Sequence, residues 1–177
     1  MDEPTPITDL QAARRQRAHR AAVAHAIAED AAHELQGIAW SQLAELPAWC
    51  LWPAERRSRL ARVAGALFCA PGMRLWIDRS RLAAARALVG PEMFERVMQS
   101  PALPAQAPTM PTQGDLARLL DTAGRSVLLG SLGVAWMRSF AAPRLPQAEA
   151  QVALCPPRVA QPLAERAWQW VALEGGG

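Results

Sequence analysis

Apolar positions recur at helical spacing over most of the chain, and prolines and glycines cut that pattern into pieces. Leu60, Val63, Ala64, Leu67 and Phe68 fall on one face of a helix whose first turn begins at Pro53, with Glu55 placed favourably near the positive end of its dipole. Pro71 and Gly72 are expected to break that helix ahead of a short Met-Arg-Leu-Trp-Ile turn. Asp78 or Ser80 then caps a helix with Leu82, Ala85, Leu88 and Val89 facing inward, and Gly90 ends it. Pro91 and Glu92 open the next, with Phe94, Val97 and Met98 on its apolar side. Beyond a stretch holding Pro101, Pro104, Pro108 and Pro111, a longer helical block is predicted from residue 114 to about 142. Its core would be Leu116, Leu119, Leu120, Val127, Leu128, Leu132 and Val134, with Gly130 and Gly133 allowing close helix approach. Leu163, Ala167, Trp170 and Val171 mark a final helix, and residues 152–155 are the sole strand candidate, too short to carry a fold.

The first third reads differently. Thr8 and Gln11 form a capping-box pattern, and an Ala-rich helix follows to about residue 36, stopped by Gly37. Its apolar stripe (Leu10, Ala24, Ala28, Ala31, Leu35) is thin, while Arg14, Arg15, Arg17 and Arg20 crowd its first half. The expected organisation is an N-terminal arm (1–37), a helical core (38–100), a Pro-rich linker or loop (101–112), a second helical lobe (113–174) and a disordered tail (175–177). The fold class is mainly α: an irregular multi-helix bundle, with one body or two lobes joined by the Pro-rich segment both left open.

Composition narrows the function classes. The chain has 177 residues and a formal net charge of +3. All 19 basic residues are arginine, a bias explained more simply by GC-rich codon usage than by selection for guanidinium chemistry. The charge is therefore weak ground for nucleic-acid binding, which stays as the alternative: a small helical regulator using the arginines at 14–20 and those after Pro53. Cys50, Cys69 and Cys155 are odd in number and widely spaced, which fits a reducing cytoplasm and neither a disulfide framework nor a zinc knuckle. The acidic, Pro-containing N-terminus lacks a signal-peptide core. The most apolar run, residues 126–137, spans as a helix only about 18 Å of a hydrocarbon layer of roughly 30 Å.

No constellation for chemistry stands out. His25, Glu29 and His33 share a helix side, and Asp30 with His33 has the spacing of bundle-type metal sites, but no second matching motif exists, so no metal is expected. Gly130-Ser131-Leu132-Gly133 lacks the flanking residues of a nucleophile elbow or a phosphate loop. Neither catalytic residues nor cofactors are expected. Interaction is the remaining class. Four of the seven tryptophans lie between Trp40 and Trp76, and eight arginines stand against two acids between Glu55 and Arg86. Arg56 and Arg57, in the first turn of their helix, oppose its dipole at a cost of about 0.3–1 kcal/mol unless a partner's carboxylate compensates. The expected protein-binding residues are Trp49, Trp52, Arg56, Arg57, Trp76, Asp78, Arg79 and Arg81. Whether the tryptophans join that surface or the core stays open.

The order LPAWCLWP, RLARVAGAL, APGMRLWID, RLAAARALVG and MFERVM resembles the cytoplasmic sorting-platform accessory proteins of bacterial type III secretion systems, the K-type family. Leu46, Pro47, Trp49, Pro53, Arg74, Ile77, Asp78, Leu82 and Gly90 match that pattern, and Arg79 stands where the pattern has Gly. The resemblance covers about fifty residues, under a third of the chain. It implies a non-enzymatic adaptor at the cytoplasmic face of the inner membrane, joining the cytoplasmic domain of the inner-membrane ring protein to the pod-forming, flagellar-switch-like protein, without nucleic acid or direct membrane contact.

Overall fold

Pro53 has no N–H to donate, so it suits the N-cap of a 20-residue helix in the computed structural model, which describes residues 14, 17, 18, 20–22, 24, 25, 45–101, 115–147 and 153–174. The chain divides into two units, Met1–Trp52 and Pro53–Gly177. In the first, the described residues comprise helical positions between 14 and 25 and a 3-10 turn, Ala48–Leu51, in which Trp49 and Cys50 are buried. Among the described residues the second holds six α-helices: α1 (Ala54–Met73), α2 (Arg79–Val89), α3 (Pro91–Gln99), α4 (Leu116–Ser131), α5 (Ala135–Ala141) and α6 (Pro157–Glu174). A 3-10 turn, Ala142–Arg144, follows α5. The architecture is a mainly α multi-helix bundle.

Helices α1, α4 and α6 pack on one another at the centre, and α2 and α3 lie against α1. Leu60, Val63 and Met73 of α1, Leu120, Val127 and Leu128 of α4, and Met93 and Val97 of α3 are fully enclosed. The α1–α4 contact is set by two glycines. A methyl group at Gly65 would overlap the Leu120 carbonyl, and one at Gly124 would overlap the Ala61 carbonyl, so the two backbones touch directly.

Local signals fix the ends. The Asp78 carboxylate accepts from the Ser80 and Arg81 backbone N–H groups to cap α2, and Asp115 accepts from Ala117 and Arg118 to cap α4. Gly90, at φ 91°, ends α2 and begins α3 in one residue, with Pro91 in the first turn that follows.

Several expectations are corrected. α1 continues through Pro71, because the final turn carries Met73 into the core and only Leu67's carbonyl forfeits a helical donor. The predicted single block from 114 to 142 is two helices: Leu132 and Val134 are extended, and Gly133 between them breaks α4 from α5. Val134, expected in the core, is 43% exposed, and Leu119 is half-buried. Gly130 does sit against the Cys155 backbone, but Gly133 has open space around its would-be side chain. Residues 153–155 are not a strand. Instead, the Ser126 hydroxyl donates to the Ala153 carbonyl and the Cys155 N–H donates to the Ser126 carbonyl, tying this segment to α4. The boundary between the two units falls at residues 52 and 53, and α1 buries its face against helices from both sides of the Pro-rich segment. That segment (101–112), most of the arm and the 175–177 tail lie outside the described residues, save Pro101 and the helical positions between 14 and 25.

Candidate docking surface

Helix C-termini leave carbonyl groups without partners, and in this chain guanidinium groups reach them from distant helices. Arg56 donates to the Val171 and Ala172 carbonyls at 3.3 and 3.2 Å, at the end of α6. Arg57 donates to the Arg144 carbonyl at 2.8 Å. Arg74 donates to the carbonyls of Val97, Met98 and Ser100 at the end of α3. Arg125 donates to those of Ala142, Leu145 and Pro146. Arg59 holds the Glu174 carboxylate with two bonds of 2.8 and 2.9 Å and also reaches the Val89 carbonyl, and Glu174 raises the Arg59 pKa further. Arg62 pairs in the same two-pronged way with Asp121, each bond 3.1 Å.

These contacts show what Arg56 and Arg57 meet within the chain. The cost of two cations at the positive end of α1 is offset from within the chain. The negative end of α6 and the carbonyl of Arg144 occupy that position. The open groove lined by Glu55, Arg56, Arg59, Val171 and Glu174 belongs to the same clamp. Trp49 is buried, at 4% exposure. Trp52, in the same unit, is half-buried.

The remaining candidates lie close together in sequence: Trp76 in the loop between α1 and α2, Asp78 at the N-cap of α2, and Arg79 and Arg81 in its first turn. Backbone bonds from Arg74, Leu75 and Trp76 to the carbonyls of Ala70, Gly72 and Met73 wind the chain out of α1. The Arg74 guanidinium anchors this end to α3. At the other end Asp78 takes the Ser80 hydroxyl at 2.7 Å and the Ser80 N–H at 2.9 Å. The Ser80 hydroxyl, and after it the Arg81 N–H, hold the Asp78 carboxyl below its usual pKa. The Arg81 guanidinium lies over the Trp76 ring, 4.2 Å from its centre, and Trp76 is half-buried. Arg79 is exposed.

Between those fixed ends stand two side chains that sequence reasoning left out of the surface. Leu75 is 81% exposed and Ile77 96% exposed. The available signal was their position: two large aliphatics inside a turn flanked by helix boundaries have no helical face to hide on.

Other candidates are less developed. Arg14, Arg17 and Arg20 are helical and exposed, as is His25, whereas Arg15, His19, Glu29, Asp30 and His33 lie outside the described residues. No cluster of His, Cys, Asp or Glu suited to a metal ion occurs among the described residues, and none of their helices is long and apolar enough to cross a membrane. Cys50, Cys69 and Cys155 are buried, and burial pushes the Cys69 thiol up to about 12. Comparison of the chain with protein-family models, with curated proteins and with solved structures finds no match.

Proposed function

We propose that this chain is a non-enzymatic adaptor that docks on other proteins through its α1–α2 loop. The observation that carries the reading is the exposure of Leu75 and Ile77 in a loop fixed by Arg74 at one end and Asp78 at the other. Covering apolar surface gains about 25 cal/mol per Å². A loop already held in one shape loses little conformational freedom when it is covered.

The similarity of the segment from Leu46 to Met98 to the K-type accessory proteins supplies the identity of the partners. In that reading the chain works in the cytoplasmic sorting platform of a type III secretion system, joining the inner-membrane ring to the pod-forming, switch-like protein. Arg74, Ile77 and Asp78, which belong to the matching pattern, are also the residues that build the loop.

The test is binding of the full chain to the recombinant pod-forming protein and to the cytoplasmic domain of the ring protein, followed by calorimetry. The double substitution L75S/I77S is expected to weaken binding at least about tenfold while leaving the melting temperature nearly unchanged, because the replaced side chains contact solvent. Failure of the native chain to bind either protein, or undiminished binding by the variant, overturns the proposal.

A nucleic-acid-binding regulator is the second reading, favoured by the helical, exposed Arg14, Arg17 and Arg20. It requires affinity for duplex DNA that falls steeply with added salt, and absence of binding at low salt removes it.

A further inference from the structure

Apolar packing gives out before α6 ends. Val171 is the last buried residue of that helix; Ala172 is half-buried, and Leu173 and Glu174 are exposed. What fastens the final turn is polar: Arg56 on the Val171 and Ala172 carbonyls, and Arg59 on the Glu174 carboxylate. The Arg59 and Glu174 side chains are 39% and 35% exposed and stand on the open groove they share with Glu55, Arg56 and Val171. Dissolved ions therefore reach the pair and screen it.

Arg59 uses its three nitrogens on two different helices. Its Nε and Nη2 donate to the two Glu174 oxygens at 2.8 and 2.9 Å, and its Nη1 donates to the Val89 carbonyl at 3.1 Å. Val89 is the last residue of α2, one position before Gly90 turns the chain into α3. Its carbonyl is one of those that a helix end leaves without a donor from its own helix. A guanidinium is a rigid plane, so the carboxylate that fixes two of its corners also aims the third.

We infer that Arg59 is a joint through which the last turns of α6 and α2 open together, and that the ions around the protein set how often they do so. With Glu174 seated, Nη1 is held on the end of α2. With Glu174 released, the guanidinium plane turns freely on its side chain, and both helix ends lose a fastening in one event. The enclosed faces of α1 and α4 take no part, because their contacts are apolar and salt does not screen them, so the opening is local. Since α2 begins where the α1–α2 loop ends, the joint links the far support of that loop to the end of α6. The coupling lies within the chain and stands whether or not the loop docks on a partner.

Amide hydrogen exchange of the full chain, resolved by residue and corrected for intrinsic rates, tests this at low and high salt. In the native protein the amides of residues 171–174 and of residues 87–90, where the Gly90 N–H donates to the Arg86 carbonyl, should accelerate in parallel by about two- to fivefold as salt rises. E174Q keeps the shape of the side chain and removes its charge. It should accelerate both turns by that factor already at low salt and leave little further response to salt. R59A should accelerate both turns at least as much. E95Q breaks the exposed Arg86–Glu95 pair near the same end of α2 and should leave both turns at native rates.

Acceleration of the α6 turn alone by E174Q overturns the joint, and so do native rates in both turns. Equal acceleration of the buried amides of α1 and α4 overturns it in favour of a global loss of stability. Acceleration of both turns by E95Q overturns it in favour of net charge acting without Arg59.

Discussion

At Gly65 and Gly124 the two central helices meet backbone to backbone, and the missing Cβ atoms are what make that distance possible. An alanine at either position would strike a carbonyl group of the opposite helix, which cannot rotate aside as a side chain can. We expect Gly65→Ala and Gly124→Ala each to lower stability by about 3 kcal/mol, measured by urea unfolding. Gly133 provides the control within the same chain. Its would-be methyl group meets nothing, so Gly133→Ala should leave stability unchanged or raise it by about 0.4–1 kcal/mol through the unfolded state. Equal destabilisation by all three would mean that the glycines act through helix geometry and not through contact. The sequence marked Gly130 and Gly133 and passed over Gly65 and Gly124, since a close approach is a property of two helices that no single stretch displays.

At the scale of elements, what was legible is what depends on neighbours in sequence. Asp78, Gly90 and Pro91 place the ends of α2 and the start of α3 correctly, because a cap, a positive φ and a ring-locked φ are local requirements. Pro71 misled for the opposite reason: its local preference to end a helix is outweighed by burial of Cys69, Ala70 and Met73 around it. The exposed aliphatics of the α1–α2 loop lay between a misread end of α1 and a correctly read start of α2, and the pattern of periodic residues has nothing to say about positions inside a turn. The caps themselves make a pH-dependent prediction. Asp78 accepts its bonds only as a carboxylate, and those bonds hold its pKa below the usual 3.8. A depressed acid contributes stability above its unfolded pKa and loses it as pH falls through the folded one. Asp78→Ala should therefore melt below the native protein at neutral pH, and the gap should close as the solution is acidified below that usual value. Asp115→Ala, which removes the cap of α4, should cost about 1 kcal/mol at neutral pH. A gap for Asp78→Ala that persists undiminished in acid would show that the carboxylate's charge is not what caps α2.

Over the unit from Pro53 onward, arginine links elements that lie far apart in the chain. The first turns of α1 meet the last turn of α6 across more than a hundred residues, with Arg56 on the Val171 and Ala172 carbonyls and Arg59 on Glu174. A cluster of cations that reads from sequence as a charged surface is thus partly an internal fastening, and its partners were invisible because they lie at the opposite end of the unit. The physical logic is that the positive end of α1 and the negative end of α6 sit together, and one guanidinium nitrogen, Nη2 of Arg56, donates to two of the last carbonyls of α6. Arg56→Ala should therefore cost about 1–2 kcal/mol and speed hydrogen exchange at the last-turn amides of α6. Arg56→Lys should recover only part of that loss, since both bonds run from the terminal Nη2, which the shorter lysine side chain does not reach in the same place. Because Arg56 and Arg59 hold the same helix end, the double variant R56A/R59A should lose less than the sum of the two single effects: once the turn frays, the second clamp has less left to hold. The exposed pair of Arg86 and Glu95, 3.4 Å apart, sets the baseline, and Arg86→Ala should change stability by no more than about 0.5 kcal/mol. If Arg56→Ala behaved like Arg86→Ala and left exchange at the α6 terminus untouched, its guanidinium would be a surface charge after all and available to a partner.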